Sequence, residues 1–279
     1  MSDESYMIFA PNRTGALHIG NAMILALIAD EAERLRIKVL EILDPIASWN
    51  TEYGDVDRDA LARETQASLE RANEYLHVPV ADIFWRERRY SRYQDVAQKL
   101  VQNGSAVERP NGTIVLKNGA CIEDETYGRI WDSGAIVMYR GEPWGSLVGV
   151  VDSVDFHVPV WIDDIGLMPD ALDASALWAY IADCEPPRSI HVPTICDAEG
   201  RPLSKRSGVR APYEFDAWAR RYLDATARRA ALRAMVSYWR TERLKILPVE
   251  CVHVNAAGQR VGYSYLREIG QYENRELVT

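Results

Sequence analysis

Two short segments, far apart in the sequence, carry residue types that suit nucleotide binding. Residues 11–21 read Pro-Asn-Arg-Thr-Gly-Ala-Leu-His-Ile-Gly-Asn and lie between an apolar stretch and a long helical pattern. Gly15 and Gly20 lack a Cβ, so a nucleotide can lie against the backbone, with its phosphates facing the positive end of the new helix. Residues 202–208 read Pro-Leu-Ser-Lys-Arg-Ser-Gly, a short polar loop that contains Lys205. Together the two segments predict a two-part ATP site.

Two side chains in these segments could act on the phosphates. His18, in the first turn of the predicted helix, can donate a hydrogen bond to a phosphate oxygen as negative charge builds during the displacement of pyrophosphate. Lys205 can neutralise charge in the same transition state, where preorganised positive groups have their largest effect. A plain helix-start histidine without a ligand is the alternative for His18. We therefore predict His18 and Lys205 as catalytic residues that help ATP to activate a carboxylate.

The two segments resemble the His-Ile-Gly-His and Lys-Met-Ser-Lys-Ser signatures of class I aminoacyl-tRNA synthetases. The second is similar to the Leu-Ser-Lys-Arg variant of the glutamyl/glutaminyl-tRNA synthetase group. Residues 86–100, 150–152 and 186–193 extend the resemblance, which runs from about Tyr6 to about Trp239. It implies an α/β fold: a class I synthetase Rossmann-like (HUP) nucleotide-binding domain with an inserted small α+β subdomain and a C-terminal helical segment. It also implies formation of an aminoacyl adenylate from an amino acid and ATP, with Mg²⁺ bound to the ATP.

The resemblance assigns the nucleotide site residue by residue. Asn21 stands where the family has its second histidine, and an amide can still donate to the nucleotide. Pro202 replaces the leading lysine of the family loop, so one of the two usual cations is missing. His191 matches a family histidine beside the nucleotide, with a structural histidine at a strand end as the alternative. The predicted ATP-binding residues are Ala10, Pro11, Gly15, His18, Gly20, Asn21, His191, Leu203, Ser204, Lys205 and Arg206.

The predicted amino-acid pocket departs from the family pattern. Ile8 stands where the family has an arginine that holds the side chain of the substrate. Burying a glutamate carboxylate against Ile8 without a paired cation would be costly, so we expect that the substrate is not glutamate. Asp44 falls on the family's acidic residue that binds the α-amino group, with an Asp-Pro turn as the alternative.

Three further positions are matched less closely. Gly145 falls on a family tyrosine, Gly149 on a polar residue and Asp163 on a second arginine. Such a pocket has lost a ring and two positive charges and gained a carboxylate, which favours a neutral, large or cationic amino acid over an acidic one. A shifted alignment, with residues 163–164 in a surface turn, is the alternative. The predicted amino-acid-binding residues are Ile8, Ala10, Asn12, Asp44, Gly145, Gly149 and Asp163.

The resemblance, together with the hydrophobic pattern, implies four parts of the chain. Residues 1–75 would form the first half of the Rossmann-like catalytic domain, 76–140 the inserted acceptor-binding-like subdomain, 141–212 the second half with the lysine loop, and 213–279 a helical C-terminal segment and tail. Strands are predicted at residues 6–10, 38–43, 146–151 and 190–196, and helices at 22–35, 58–75, 171–182 and 214–241. The tail after Lys245 is β-like and then polar, and its place in the fold is left open.

Composition fits this interpretation. The chain has 279 residues, of which 47% are hydrophobic, and this is enough for a full core. Its net charge is −9 and its pI is near 5.2, which argues mildly against a polyanionic partner. Two arginine-rich stretches are either local basic patches or solvated helix faces. They contain Arg86, Arg88, Arg89 and Arg92, and Arg220, Arg221, Arg228, Arg229 and Arg233.

Cysteine usage and the chain's first residues indicate a cytoplasmic protein. Cys121, Cys184, Cys196 and Cys251 are scattered and indicate reduced thiols. Short relatives of this family carry a cysteine-rich zinc site in the inserted region, where only Cys121 lies, so we expect no structural zinc and no other protein-held metal. We expect neither a signal peptide nor a membrane span.

Three functions compete. The first is a truncated synthetase paralogue that charges a tRNA, and the inserted region supports it. The second is an ATP-dependent ligase that transfers the amino acid to a small molecule, peptide or carrier protein. The acidic charge, the altered pocket and the few residues after Trp239, where the family continues into an anticodon-binding domain, support this second interpretation, which we favour. The third is a non-catalytic RNA- or protein-binding relic, against which the retention of His18, Gly20 and Lys205 argues.

Overall fold

A computed structural model gives the fold. It describes residues 4–44, 57–117, 121–124, 128–132, 136–164, 168–203, 213–234, 239–241, 249–255, 257, 259–268 and 271–275. Ser204, Lys205 and Arg206 of the predicted lysine loop lie outside the described residues.

The first part of the chain forms a parallel three-stranded sheet. Strands β1 (Tyr6–Phe9), β2 (Lys38–Leu43) and β3 (Val80–Trp85) lie in that order and are joined by helices α1 (Ile19–Leu35) and α2 (Arg58–Leu76). Strands β1 and β2 and helices α1 and α2 agree with the predicted elements to within three residues at each end, whereas β3 lies in the region predicted as the insertion and was not predicted as a strand of this sheet. Helix α1 is almost entirely apolar and buried, and it packs against β1 and β2. The βαβαβ order places the carboxyl ends of all three strands at one edge.

A second parallel pair completes this layer. Strand β9 (Val160–Asp164) pairs parallel with β10 (Arg188–Val192), and β12 (Trp239–Thr241) adds antiparallel to β10. Strands β1 and β9 lie beside each other, and α1 packs on both. One helix thus covers the junction between the two half-sheets. Helix α5 (Met168–Ile181) connects β9 to β10, close to the predicted helix at 171–182.

The predicted strand at residues 146–151 is wrong. These residues belong to helix α4 (Gly145–Asp155), in which Leu147, Val148, Val150 and Val151 are buried. A helix that is buried on most sides has no polar face to reveal its period, so its apolar run resembles that of a buried strand. The strand that enters the sheet here is β9, which begins after α4.

The region predicted as the insertion combines one helix with short antiparallel strands. Helix α3 (Tyr90–Gln102) follows a 3-10 turn at Arg86–Arg89. One antiparallel sheet contains strands β4 (Ala106–Glu108), β5 (Ile114–Leu116) and β8 (Ile136–Tyr139). A separate antiparallel pair consists of β6 (Cys121–Asp124) and β7 (Gly128–Asp132). Buried residues of α3, β4, β5 and β8 share one hydrophobic cluster with α4 and α5. The insertion therefore packs on the helix that lines the site described below.

The C-terminal part is only partly helical. Helices α6 (Phe215–Ala219) and α7 (Ala225–Ala234) pack on α1 and α2, but β12 lies inside the range predicted as helix. The unassigned tail forms strands β13 (Val249–Val254), β14 (Arg260–Glu268) and β15 (Gln271–Arg275), which extend a sheet from β11 (Ile195–Cys196). The division of the chain at residues 75, 140 and 212 stays a prediction.

The second arginine-rich stretch serves this packing. Arg229 is buried and donates to the backbone carbonyls of Leu76 and His77 at 2.6 and 2.7 Å. Arg228 donates to the carbonyl of Tyr75 at 3.2 Å. These cations cap the carboxyl end of α2, where carbonyls lack helical partners and the dipole is negative. Arg228 and Arg229 thus fasten α7 to α2.

Candidate functional site

A cavity of about 300 Å³ opens between β1, β9, α1 and α4, at the small end of the range for ligand pockets. All seven predicted amino-acid-binding residues line it, although they come from four separate parts of the chain. They are Ile8, Ala10, Asn12, Asp44, Gly145, Gly149 and Asp163. Pro11 and Asn21 of the predicted nucleotide site line it as well.

Backbone pairing brings the ends of β1 and β2 together at this cavity. The N–H of Asp44 donates to the carbonyl of Pro11 at 3.1 Å, and the N–H of Arg13 donates to the carbonyl of Asp44 at 2.8 Å. These bonds extend the parallel pairing of β1 and β2 beyond the strands, so Asp44 and Asn12 face each other across the edge of the sheet. Asp44 is therefore held at the carboxyl end of its strand, where the sequence places it.

Asp44 is ion-paired to a buried arginine from the inserted region. Arg86, 5% exposed, reaches Asp44 through Nε and through Nη2, which lies 3.2 Å from Oδ2. Its Nη1 lies 2.5 Å from Oδ2 of Asp152 on α4, an aspartate that is 2% exposed. The hydroxyl of Tyr93 donates to Asp152 at 2.8 Å. Arg86 thus joins β2, α4 and the insertion at one point of the cavity wall.

The ion pairs continue away from the cavity. Arg89 contacts Asp152 and Asp155, both at 2.7 Å, and Arg92 contacts Asp155 at 2.6 Å. The first arginine-rich stretch is therefore neither a basic patch nor a solvated face at these positions, because three of its four cations are matched by carboxylates. The ion pairs of Arg86, Arg89 and Arg92 with Asp44, Asp152 and Asp155 form a continuous ladder. This ladder holds α3 and α4 in fixed register, and breaking one buried pair would leave an uncompensated charge.

Burial and ion pairing act in opposite directions on these groups. Burial raises the pKa of Asp44, while the guanidinium of Arg86 pulls that pKa down. Burial would lower the pKa of Arg86, but the carboxylates of Asp44 and Asp152 raise it above its ordinary value, so the guanidinium stays charged. For Asp155, burial is outweighed by Arg92 and Arg89, which lower its pKa. The guanidinium of Arg86 and the carboxylate of Asp155 therefore stay charged at neutral pH.

His18 caps α1 at the edge of this site. Its Nδ1 accepts from the N–H of Asn21 at 3.3 Å, and the side chain of Asn21 accepts from the N–H of His18 at 3.4 Å. Because Nδ1 is an acceptor, the neutral ring carries its proton on Nε2. A Cβ added to Gly20 would lie 3.0 Å from Nδ1 of His18, so glycine leaves room for the ring. His18 itself is not among the residues that line the cavity.

The turn before α1 is anchored to α2. The N–H of Gly15 donates to Oγ1 of Thr65 and the N–H of Leu17 donates to Oγ of Ser68, both at 3.0 Å. Gly15 has a positive φ of 106°, a conformation that suits glycine. These two N–H groups therefore have protein acceptors, and the predicted phosphate contacts of this turn would have to come from other groups.

Arg13, which belongs to the turn predicted to bind phosphate, is 6% exposed. It donates from Nε to the carbonyl of Asp44 at 3.2 Å, pairs with Glu87, and lies 4.4 Å from the ring centroid of Trp85. It is therefore not a solvated turn residue. It ties the turn before α1 to the end of β3.

The remaining predicted residues lie beside the second half-sheet. Leu203 is buried, and its N–H donates to the carbonyl of Ile195 at 2.9 Å, which returns the chain toward β11 just before the lysine loop. His191 pairs in register with Asp163 of β9. A Cβ added to Gly20 would lie 3.6 Å from Cβ of Ile195, so the start of α1 adjoins β11. Ile195 therefore contacts Leu203 and also adjoins the start of α1.

Within the described ranges, no group of three or more histidine, cysteine, aspartate or glutamate side chains is placed to hold a metal ion. In the same ranges, none of the helices combines the length and apolar character needed to span a membrane. Arg86, Asp152 and Ser146 are among the cavity-lining residues that the sequence analysis did not assign to the site. Residues 86–100 and 150–152 were noted for their resemblance, but nothing in the sequence showed that the two stretches meet.

Comparison with known proteins identifies the fold. No family model and no curated protein sequence matches the chain. A glutamate tRNA ligase from Elizabethkingia meningosepticum CCUG26117, solved in complex with its amino acid, superposes with a TM-score of 0.55 at 13% identity, over 75% of this chain and 53% of that one. A glutamate-tRNA synthetase from Elizabethkingia anophelis gives a TM-score of 0.49 at 14% identity, over 75% and 54%.

The chain has a class I synthetase-like fold, as its sequence motifs indicate. It spans about half the length of these two structures. At such low identity the similarity establishes the fold alone.

Proposed function

We propose that the chain uses ATP to convert an amino acid other than glutamate into an aminoacyl adenylate and transfers the acyl group to a small molecule, peptide or carrier protein. One observation carries this proposal: seven residues chosen from the sequence for amino-acid binding surround a single cavity at the carboxyl ends of parallel strands. In open α/β sheets, ligands bind at that edge.

The reaction would need no protein nucleophile. A carboxylate oxygen of the amino acid attacks the α-phosphorus of ATP, a new P–O bond forms, and the bond to pyrophosphate breaks. His18 would donate from Nε2 to a phosphate oxygen, and Lys205 would neutralise the charge that develops on the leaving group. Mg²⁺ would come with ATP, held by triphosphate oxygens. Catalysis then rests on positioning and electrostatics.

Asp44 would bind the α-amino group. Each of its carboxylate oxygens accepts from Arg86 and keeps a second lone pair for an ammonium N–H. Arg86 is the only cation among the described lining residues, and both Asp44 and Asp152 contact it. A side-chain carboxylate would therefore find no uncommitted positive partner among them, which supports the exclusion of glutamate.

Surface charge supports a choice between acceptor classes. Arg86, Arg89 and Arg92 of the first arginine-rich stretch are matched by aspartates, and Arg228 and Arg229 of the second are used on α2, so these five cations are already committed within the fold, while Arg88, Arg220 and Arg221 are exposed. With a net charge of −9, this favours a non-RNA acceptor. Charging of a tRNA is the second candidate, and the retained insertion supports it.

The test is amino-acid-dependent exchange of pyrophosphate into ATP, run over the proteinogenic amino acids and several diamino acids. The proposal predicts exchange with one substrate or a few related ones, and its loss in Lys205→Ala and His18→Ala. Lys99→Ala, which removes a lysine on α3 away from the cavity, serves as the matched control and should exchange normally. Exchange with glutamate would refute the substrate assignment. Absence of exchange with every amino acid, both with and without total tRNA, would refute adenylation.

A further inference from the structure

The first turn of α4 offers unused hydrogen-bonding capacity to the cavity. The residue before the helix, Trp144, provides no side-chain cap, and the first turn contains no acidic residue. Gly145 and Ser146 of this turn line the cavity. The positive end of an 11-residue helix therefore faces the cavity without an internal counter-group among the described residues.

Ser146 provides a second and independent observation. Its residue is 2% exposed, and within the described part of the chain its Oγ has no hydrogen-bond partner. Ser153, two turns later on the same helix, also lines the cavity, but its Oγ donates to the carbonyl of Gly149 and accepts from Nε1 of Trp161, both at 2.7 Å. A buried hydroxyl without a partner costs free energy, and a ligand group in the cavity that forms a hydrogen bond with Ser146 would remove that cost.

The same face of α4 leaves room beside the hydroxyl. A Cβ added at Gly149 would meet no heavy atom within 4 Å. The cavity lining is apolar at Ile8, Val160 and Ala174. The cavity therefore admits a side chain that runs along α4 and carries a polar atom to Ser146.

Charge decides the chemistry of that atom. The helix end and the serine O–H both suit an oxygen that accepts hydrogen bonds. A carboxylate would be an expensive choice because Asp44, Asp152 and Asp163 also line the cavity, while Arg86 is already shared by the first two. An uncharged oxygen, as in an amide or a hydroxyl, has no such cost.

We propose that Ser146 and the first turn of α4 form the subsite that binds an uncharged oxygen in the side chain of the amino acid. This rests on the proposed function and narrows the substrate to amino acids with amide or hydroxyl side chains. Ser146 is here a specificity-determining residue that touches the substrate and takes no part in the chemical step.

The experiment compares Ser146→Ala with Ser175→Ala. Ser175, on α5, also has a buried Oγ without a partner among the described residues, but it does not line the cavity. Thermal unfolding without ligand and pyrophosphate exchange are measured for both variants and the parent. Substrates are tested in near-isosteric pairs with and without the oxygen: threonine and valine, tyrosine and phenylalanine, glutamine and methionine.

Both variants should unfold at a temperature equal to or above that of the parent, because each loses an unpartnered buried hydroxyl. Ser146→Ala alone should raise KM for the oxygen-bearing substrate about tenfold and leave kcat nearly unchanged. The ratio of kcat/KM for that substrate to kcat/KM for the apolar amino acid of the same pair should therefore fall. Ser175→Ala should exchange as the parent does.

Three other results would overturn the subsite. The first is a Ser146→Ala variant with the KM and the substrate preference of the parent. The second is a Ser146→Ala unfolding temperature well below that of the parent, which would reveal a structural partner of the hydroxyl, and the third is a preferred substrate with a charged or apolar side chain. Each of these leaves adenylation itself standing. If no amino acid supports exchange and none raises the unfolding temperature of the parent, both proposals fall.

Discussion

Glu41 offers a sharp physical test because a carboxyl group is buried in the middle of β2. It is completely buried, and Nδ2 of Asn73 on α2 donates to its Oε2 at 2.8 Å. Oε1 of Glu41 and Oδ1 of Asn73 have no partner among the described residues. Burial raises the pKa of Glu41 to about 8; the hydrogen bond from Asn73 opposes the rise and Glu70 adds to it. One proton shared between these two oxygens would satisfy both, as in an acid–amide pair.

The pKa shift fixes the sign of the pH dependence. The unfolded chain releases this proton near the ordinary glutamate pKa of 4.5, whereas the folded chain keeps it to about pH 8. Within that window the folded state binds more protons than the unfolded state, so the free energy of unfolding falls as pH rises. The difference between these two pKa values corresponds to roughly 5 kcal/mol in the free energy of unfolding. The folded chain has lost all of this stability only at a pH above its own pKa of about 8.

Replacement of Glu41 by glutamine removes the titration and keeps the shape. The amide of Glu41→Gln can donate to Oδ1 of Asn73 while its oxygen accepts from Nδ2. Urea unfolding of parent and variant at about pH 5, 6.5 and 8 should show similar stability at the lowest pH and a variant that is several kcal/mol more stable at the highest. Glu74→Gln, an exposed change on the same helix as Asn73, controls for surface charge. Parallel pH curves for parent and Glu41→Gln would refute the protonated pair.

Two other substitutions test the site. Arg86→Gln leaves Asp44 and Asp152 as buried carboxylates without their shared cation and should cost about 3–5 kcal/mol in urea unfolding; a loss under about 1 kcal/mol would show that the buried ladder is not a stabilising element. Gly20→Ala brings a methyl group 3.0 Å from Nδ1 of His18 and should reduce pyrophosphate exchange at least tenfold while the protein stays folded by circular dichroism. Normal exchange in that variant would show that the reaction does not depend on the observed position of the His18 ring.

The fold was predictable wherever local pattern and resemblance agreed. The strand at Lys38–Leu43 has the predicted bounds, because an apolar run between two helical patterns leaves few alternatives. Helix α4 was missed because its surroundings, which the sequence does not show, bury it on most sides. The tail strands were left open because β13 depends on pairing with β11, more than fifty residues earlier in the chain.

The site residues were likewise predictable only in part from the sequence. Asp44 was found through resemblance, since it ends a strand at the sheet edge where a substrate ammonium would bind. Its partner Arg86 lay in a stretch that looked like a surface patch, because the sequence does not show that Asp152 on α4 lies next to it. Ser146 carries no sequence signal, since only the absence of a partner among the described residues of the folded chain makes its hydroxyl informative.

The central claim is attack of a carboxylate on the α-phosphorus of ATP, and isotope transfer tests it most directly. The amino acid found by exchange is labelled with heavy oxygen in its carboxylate, and hydroxylamine serves as a general acceptor, so the natural acceptor is not needed. Mass spectrometry should find one heavy oxygen in AMP, and neither AMP nor label transfer with Lys205→Ala. Release of ADP with the heavy oxygen in inorganic phosphate would mean attack on the γ-phosphorus through an acyl phosphate and would contradict the account.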